Sequence, residues 1–511
     1  MEKVVTKKEF KEVIRPKLKK ENKTIALCHG VFDLIHPGHI IHFEQAAEMA
    51  DILVVSITAA KYVRKGPGRP YFSDDMRLKF LSAIECIDYV MLSEEYTVDD
   101  IVEAVEPDFY VKGEEYANED ADVTANMKPE RELVEKHGGQ VRYTTGRVYS
   151  STKLINRGLA GLPKDVVAYM EKVTKNYSMK DVTDFADKAK KLKVLVIGET
   201  IIDRYTYCTV QGLMSKNMAY SARLLDSEDY LGGAAAVARH LATWCKKVTF
   251  LSVVGCEKEL KGTLESAQDA GVKCCYVESK TFPTIIKQKY LSHEQKREEY
   301  TKVFGISNIP NNPKVDDEAL GELKEILKDK IKKADVVYLC DFGHGLFDRE
   351  LIDFIQKEAK FLALNCQTNS SNYGMNIITK YERADAFTLD QKELRLALPA
   401  LADEEDAAFK ELSGFLKSRC SWLTRGSKGA WGLEEYEKED CPAFTLAVRD
   451  TIGAGDAFFS IACLFAAVGA PITVSTIMGN VAGALGANIV GNKKSIERAD
   501  ALKFASTLMN V

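Results

Sequence analysis

The chain has 511 residues, too many for one ordinary hydrophobic core and enough for two to four domains. Its 46% hydrophobic and 28% charged residues describe a soluble globular protein and exclude the disordered and fibrous classes. A net charge of -5 offers no basic footprint for nucleic acid, so basic runs such as Lys17-Leu18-Lys19-Lys20 and Lys190-Lys191 read as solvated helix faces. In chain order, Met1-Glu2-Lys3-Val4 lacks the apolar segment of a secretory signal, and no later apolar run is long enough to span a bilayer. The expectation is a cytoplasmic protein without a membrane partner.

Thr24–Cys28 is the first buried-strand signal; a helical pattern follows from Gly38 to Ala50, then a second strand at Ile52–Ser56. A further βα unit ends near Val90, and Asp108–Gly113 reads as a strand leaving through a glycine turn. Short apolar strands alternating with helices predict a parallel sheet covered on both faces. The alternation fades after Gly158, Gly161-Leu162-Pro163 punctuates the chain, and it restarts at Val194–Gly198. The expected organisation is α/β in two domains, 1–160 and 191–511, joined by polar connecting helices at 161–190. The twelve cysteines are scattered without a zinc-like Cys-x-x-Cys pair, which suits reduced thiols.

Two motifs carry chemistry. Gly30-Val31-Phe32-Asp33-Leu34-Ile35-His36-Pro37-Gly38-His39 lies between a strand and a helix, where open α/β sheets form their ligand crevice. The helix N-terminus attracts phosphate, and two imidazoles beside it can donate hydrogen bonds as negative charge grows. His29, His42 and His137 lack that setting and are read as ordinary. Ser150-Ser151-Thr152 before an apolar helix is a second cap with hydroxyls and N–H groups together. With no activated Ser or Cys nucleophile in view, the expected chemistry is direct in-line displacement at an α-phosphorus, aided by Mg2+.

This region resembles the cytidylyltransferase-like nucleotidyltransferase superfamily, with a Rossmann-like parallel sheet. It is similar to the adenylyltransferase half of the bifunctional heptose kinase/adenylyltransferases, and more distantly to glycerol-phosphate cytidylyltransferases. The similarity covers residues 23–157 and includes K-G-P-G-R-P at Lys65–Pro70, V-K-G-E-E-Y at Val111–Tyr116 and Y-S-S-T-K-L-I at Tyr149–Ile155. The resemblance implies that His36 and His39 stabilise the nucleotide phosphates and that Lys65 neutralises charge at the reacting phosphorus. Gly30, Phe32, Asp33, Arg77, Lys112 and Gly113 would line the nucleotide site, and Ser150, Ser151 and Thr152 would hold phosphate. The glutamate-rich V-K-G-E-E-Y form lies nearer the adenylyl- than the cytidylyltransferases, leaving ATP ahead of CTP.

The second motif is Asp450-Thr451-Ile452-Gly453-Ala454-Gly455-Asp456-Ala457-Phe458, opening an apolar helix. Gly453, Ala454 and Gly455 let N–H groups converge on an anion, and Asp456 can take a proton from an attacking hydroxyl. Residues 190–505 resemble the ribokinase-like sugar kinases, again most closely the kinase half of the heptose enzymes, an α/β sandwich with a small β lid. The resemblance places Asp203, Gly232, Gly233 and Asp341 at the sugar. It places Thr424, Gly426, Gly429 and Asn480 at ATP, and makes Glu393 the metal residue. Lys287–Tyr300, with Tyr290 and Tyr300, would belong to the lid, and a homodimer is expected by analogy.

Four departures stand out: Ala236 where close relatives have asparagine, Asn365-Cys366-Gln367 for Asp-Pro-Lys, Asp390 for the asparagine of Asn-x-x-Glu, and a reversed domain order. The expected function is two-step synthesis of an activated sugar for a surface glycan. The kinase would phosphorylate a sugar or sugar phosphate with ATP, and the transferase would join a sugar phosphate to a nucleotide and release pyrophosphate. The alternative keeps the transferase, on CTP and a polyol or sugar phosphate, with a silent kinase-like sugar-binding module.

Overall fold

The computed structural model describes residues 3–66, 69–114, 127–145, 162–216, 218–293, 300–310, 313–369, 372–435, 437–444 and 448–510. It divides into two units, Met1–Lys180 together with Leu502–Val511, and Asp181–Ala501. The stretch expected to connect them holds two helices, Lys164–Val173 and Met179–Ala189. Each buries an apolar stripe (Val166, Met170 and Val173; Val182, Ala186 and Ala189). The polar-linker reading missed these stripes because a two- or three-residue face is diluted by surrounding lysines and aspartates.

The first unit is built on five strands: β1 (Ile25–Gly30), β2 (Ile52–Thr58), β3 (Tyr89–Ser93), β4 (Phe109–Gly113) and β5 (Gln140–Thr144). They pair in parallel in the order β3-β2-β1-β4-β5. β1 is apolar from Ile25 to Cys28 because both of its faces are covered there. Ile25 and Leu27 join a core with Phe10, Ile101 and Val134, whereas Ala26 and Cys28 join a second core with Phe43 and Leu81. The chain order reverses between β1 and β4, and a crevice opens there at the strands' carboxyl ends. Helix α1 (Pro37–Ala47) starts at that crevice: His36 is its extended N-cap and Pro37 its first residue, where the missing N–H costs nothing. Helix α2 (Asp74–Ser82) follows β2.

In the second unit, a nine-stranded sheet has the order β10-β9-β6-β13-β14-β15-β16-β17-β18. Its strands are β6 (Lys193–Gly198), β9 (Lys247–Val254), β10 (Val272–Glu278), β13 (Val336–Asp341), β14 (Leu362–Cys366), β15 (Ala386–Asp390), β16 (Cys420–Thr424), β17 (Ala430–Glu434) and β18 (Glu437–Cys441). Pairing is parallel as far as β16 and antiparallel from there to β18. A separate four-stranded sheet, the expected lid, runs β12-β11-β7-β8, from β7 (Thr200–Leu213), β8 (Tyr220–Gly232), β11 (Ile285–His293) and β12 (Tyr300–Ser307). Four helices matter for the site. They are α3 (Gly233–Ala242), α4 (Gln391–Ala397), α5 (Ala454–Ala467) and α6 (Ile472–Gly486). Helices α5 and α6 are buried over most of their length and pack on each other, which is why both read as nearly uniform apolar stretches. Two α/β domains with parallel sheets, as read from the sequence, is the observed architecture.

Candidate active sites

In the first unit, the N-cap geometry of α1 brings His36 and His39 into a stack, with ring centroids 3.8 Å apart and planes at 17°. The edge of Phe32 closes on His39 at 5.3 Å. Burial lowers the pKa of both histidines; for His39, helped by His36, His42 and Lys65, it falls to about 3. Both imidazoles are therefore neutral at pH 7, each carrying a single ring N–H. His39 Nδ1 is buried with no hydrogen-bond partner among the described residues, and the Leu34 backbone accepts a hydrogen bond from the ring.

Asp33 lies beneath this site. Its carboxylate accepts the N–H groups of Tyr71 (2.8 Å) and Phe72 (3.0 Å) and faces Arg69 at 3.5 Å. It thereby ties down the segment that follows Lys65. Desolvation, with neighbouring cations, lowers Lys65 to about 8, so it is charged but weakly solvated.

Two expected nucleotide contacts have other partners. Arg77 has no exposed surface; its guanidinium donates to Val31 O (2.7 Å) and Thr58 O (3.0 Å) and pairs with Asp74. It fastens the Gly30–His39 loop to β2 and does not line the cleft. Lys112 pairs with Glu130 at 3.0 Å, while Gly30 and Gly113 end β1 and β4. His29 and His42 contact Ser56 and Thr144 at 2.9 and 2.7 Å, which agrees with their reading as ordinary. Ser150, Ser151 and Thr152 lie outside the described residues, as do Pro67, Gly68 and most of V-K-G-E-E-Y beyond Glu114.

In the second unit, Gly453 caps α5 at φ 80°, and Ala454, Gly455 and Asp456 form its first turn; the Ala454 N–H donates to Thr451 O at 3.3 Å, leaving those of Gly455 and Asp456 without an acceptor inside the helix. Asp456 is buried, and that burial raises its carboxyl to about 6, opposed by a hydrogen bond from Gln367 Nε2 at 2.8 Å. Asp203 lies on the lid strand β7 and pairs with Lys289 of β11 at 2.6 Å. Backbone at Gly232 approaches it so closely that a Cβ there would meet Asp203 Oδ2 at 2.2 Å, so a side chain there would displace the carboxylate. Asp203 and Lys287 both act electrostatically on Asp456, and Asp456 acts on Glu393, so these groups lie near one another.

Several expected contacts turn out to hold the fold. Asp341, expected at the sugar, is 1% exposed; its carboxylate accepts Tyr381 Oη (2.6 Å) and Gly343 N (2.9 Å) and pairs with Lys380. It braces the 341–345 loop. Asn480 donates to Cys441 O and Pro442 O, each at 3.3 Å, and Thr424 Oγ1 donates to Leu389 O. Gly426 and Gly429 shape the turn between β16 and β17, closed by Arg425 N–H to Gly429 O at 2.8 Å. Asp390, in place of asparagine, is the N-cap of α4 in a capping box with Glu393.

Glu393 accepts Thr368 N and Asp390 N, and burial raises it to about 7. Each of its oxygens keeps a lone pair after one N–H, which suits a hard cation such as Mg2+. Among the described residues no three His, Cys, Asp or Glu side chains form a metal cage, and no helix is long and apolar enough to cross a membrane. Sequence reasoning missed Lys289 as the partner of Asp203 and the contact of Gln367 with Asp456.

Comparison with known proteins follows this geometry. Residues 27–157 match the cytidylyltransferase-like family, and residues 191–497 match the pfkB family of carbohydrate kinases. The bifunctional protein HldE of Koribacter versatilis is 36% identical over 159 residues, 30% of this chain and 31% of that protein. HldE of Syntrophotalea carbinolica is 34% identical over 144 residues, 27% and 28% of the two chains. These matches span under a third of the length of the bifunctional relatives. The D-beta-D-heptose 7-phosphate kinase of Bordetella bronchiseptica is 24% identical over 312 residues, covering 60% of this chain and 95% of that one. A phosphofructokinase-2 mutant from Escherichia coli superposes with a TM-score of 0.50 at 16% identity, over 62% of this chain and 99% of that one, which speaks to fold alone. With residues 191–497 matched, well over half its length, this chain belongs to the pfkB family of carbohydrate kinases and carries a cytidylyltransferase-like domain ahead of the kinase domain.

Proposed function

We propose that the chain makes a nucleotide-activated sugar, with the second unit phosphorylating a sugar phosphate and the first transferring a nucleotidyl group to the product. The observation that carries the kinase half is Asp456 in the first turn of α5, a buried carboxylate beside N–H groups without an acceptor inside the helix. Asp456 takes the proton of the acceptor hydroxyl, whose oxygen forms the new bond to the γ-phosphorus. The bond from that phosphorus to the β–γ bridging oxygen breaks, and ADP leaves with the electron pair. N–H groups at the start of α5 stabilise the charge that develops on the transferred phosphoryl. Mg2+ bound with the nucleotide supplies charge neutralisation, and Glu393 is the residue to hold it.

In the first unit the stacked His36 and His39 donate to the α-phosphate as a sugar-phosphate oxygen displaces pyrophosphate, and Lys65 offsets the growing negative charge. The name of the Bordetella bronchiseptica relative supports a heptose 7-phosphate as the kinase acceptor. If the kinase product is a bisphosphate, a separate phosphatase acts between the two steps. A cytoplasmic dimer supplying a surface glycan completes the reading.

The second reading, a transferase with a silent sugar-binding module, is favoured by one observation: Lys289 already neutralises Asp203. Incubation with Mg-ATP and a heptose 7-phosphate, followed by phosphorus NMR, separates the two. The first reading expects a new anomeric phosphate in the intact protein and none in Asp456→Asn. Identical spectra from the two proteins would leave the silent module.

A further inference from the structure

The Asp456 carboxylate has an unusual environment. It is 9% exposed, and no Lys, Arg or His lies within ion-pair distance among the described residues. Asp203 acts on it from β7 and Lys287 from β11, while Glu393 of α4 and Cys340 of β13 feel its charge in turn. The other elements packed on α5, namely α3, α6, β15 and β16, bring no charged group that acts on it. One neutral donor remains: Gln367 Nε2–H, 2.8 Å from Oδ1.

Gln367 is itself held firmly. It follows directly on β14, its N–H donates to Asp341 O at 2.8 Å, and its carbonyl accepts Asn376 Nδ2 at 3.1 Å. Asp341, in turn, is braced by Tyr381, Lys380 and Gly343. With both of its main-chain polar groups fixed, the direction from which the amide reaches Asp456 is fixed too. A single donor on one carboxylate oxygen defines the rotation of the group and leaves the other oxygen for an incoming hydroxyl.

We propose that Gln367 is a positioning residue for the kinase base: its amide sets the rotation of the Asp456 carboxylate, favours the ionised form, and reserves Oδ2 for the acceptor hydroxyl. This rests on the kinase reading given above. It also gives the Asp341 hub a role, since that hub aims Gln367.

The test compares Gln367→Met, which keeps length and loses the donor, with Gln367→Lys, which replaces a neutral donor by a cation. Initial rates of ADP release from Mg-ATP and heptose 7-phosphate are measured from pH 5 to pH 8.5. In Gln367→Met the acid limb of kcat moves to higher pH, and the ratio of wild-type to variant kcat rises about tenfold from pH 8 to pH 5. In Gln367→Lys the limb moves to lower pH. KM for ATP stays within about twofold in both. A pH-independent loss in Gln367→Met, or limbs that move the same way in both variants, overturns the proposal. Should the wild type release no ADP, the kinase reading falls by itself. The Asp456 carboxyl is then titrated by carbon-13 NMR in aspartate-labelled protein, assigned by its absence in Asp456→Asn. An unchanged titration in Gln367→Met overturns the positioning role independently of turnover.

Discussion

Gly453 and Gly455 flank Ala454 at the start of α5, yet alanine at the two positions should have opposite consequences. Gly453 holds φ 80° and ψ -8°, a left-handed conformation that costs an alanine about 1–2 kcal/mol. A Cβ there would also lie 2.0 Å from Asn492 Oδ1. Asn492 is buried, so making room for the added methyl costs about 1–3 kcal/mol in overpacking. Gly453→Ala should therefore destabilise the second unit by about 2–5 kcal/mol, roughly 3–7 °C in Tm for a unit of this size. At Gly455 a Cβ meets nothing within 4 Å, and alanine inside a helix gains up to about 1 kcal/mol over glycine. Gly455→Ala should thus match or exceed the wild-type Tm. If the first turn of α5 receives the transferred phosphoryl, however, the added methyl intrudes on that approach, and kcat for ADP release should fall about 10²–10³-fold, as when one oxyanion donor is lost. Differential scanning calorimetry and a coupled ADP assay read the two effects separately. Full activity in Gly455→Ala would refute the phosphate cradle, and an unchanged Tm in Gly453→Ala would refute the strain argument.

Three further outcomes are expected. His39→Asn should lower nucleotidyltransferase kcat about 10²–10³-fold in a pyrophosphate-release assay, with little change in the urea midpoint of the first unit; retained kcat would remove His39 from the chemistry. Arg77→Met strands the half-buried Val31 and Thr58 carbonyls and should cost the first unit roughly 2 kcal/mol; a normal midpoint with a raised nucleotide KM would support the direct-contact reading instead. His240 is buried, accepts Ile496 N–H through Nδ1, and has its pKa lowered by burial to about 3. Because the folded state binds fewer protons than the unfolded one, its stabilising contribution is complete above about pH 6.5 and is lost as pH falls toward 3, about 2 kcal/mol of it by pH 5. Urea titrations at pH 7 and pH 5 should show a smaller drop in His240→Gln than in the wild type, and equal drops would contradict this assignment.

The strands and the two strand-to-helix or loop-to-helix turns were legible in the residues because their signals are local. β1 and β6 hold apolar runs covered on both faces, Pro37 follows an N-capping His36, and Gly453 precedes a uniformly apolar helix. Such features need only neighbouring residues and backbone stereochemistry. Tertiary structure decided which polar groups face a ligand. Nothing local distinguishes Arg77 or Asp341 from a contact residue; only the fold aims the first at the carbonyls of Val31 and Thr58 and the second at Tyr381 and Gly343. The same holds for the pairs at the candidate kinase site. Lys289 reaches Asp203 across 86 positions and Gln367 reaches Asp456 across 89, distances at which strand order alone brings side chains together. A buried polar group must find a partner wherever the fold supplies one, so the partner's identity is a property of the packed chain and not of any segment of it.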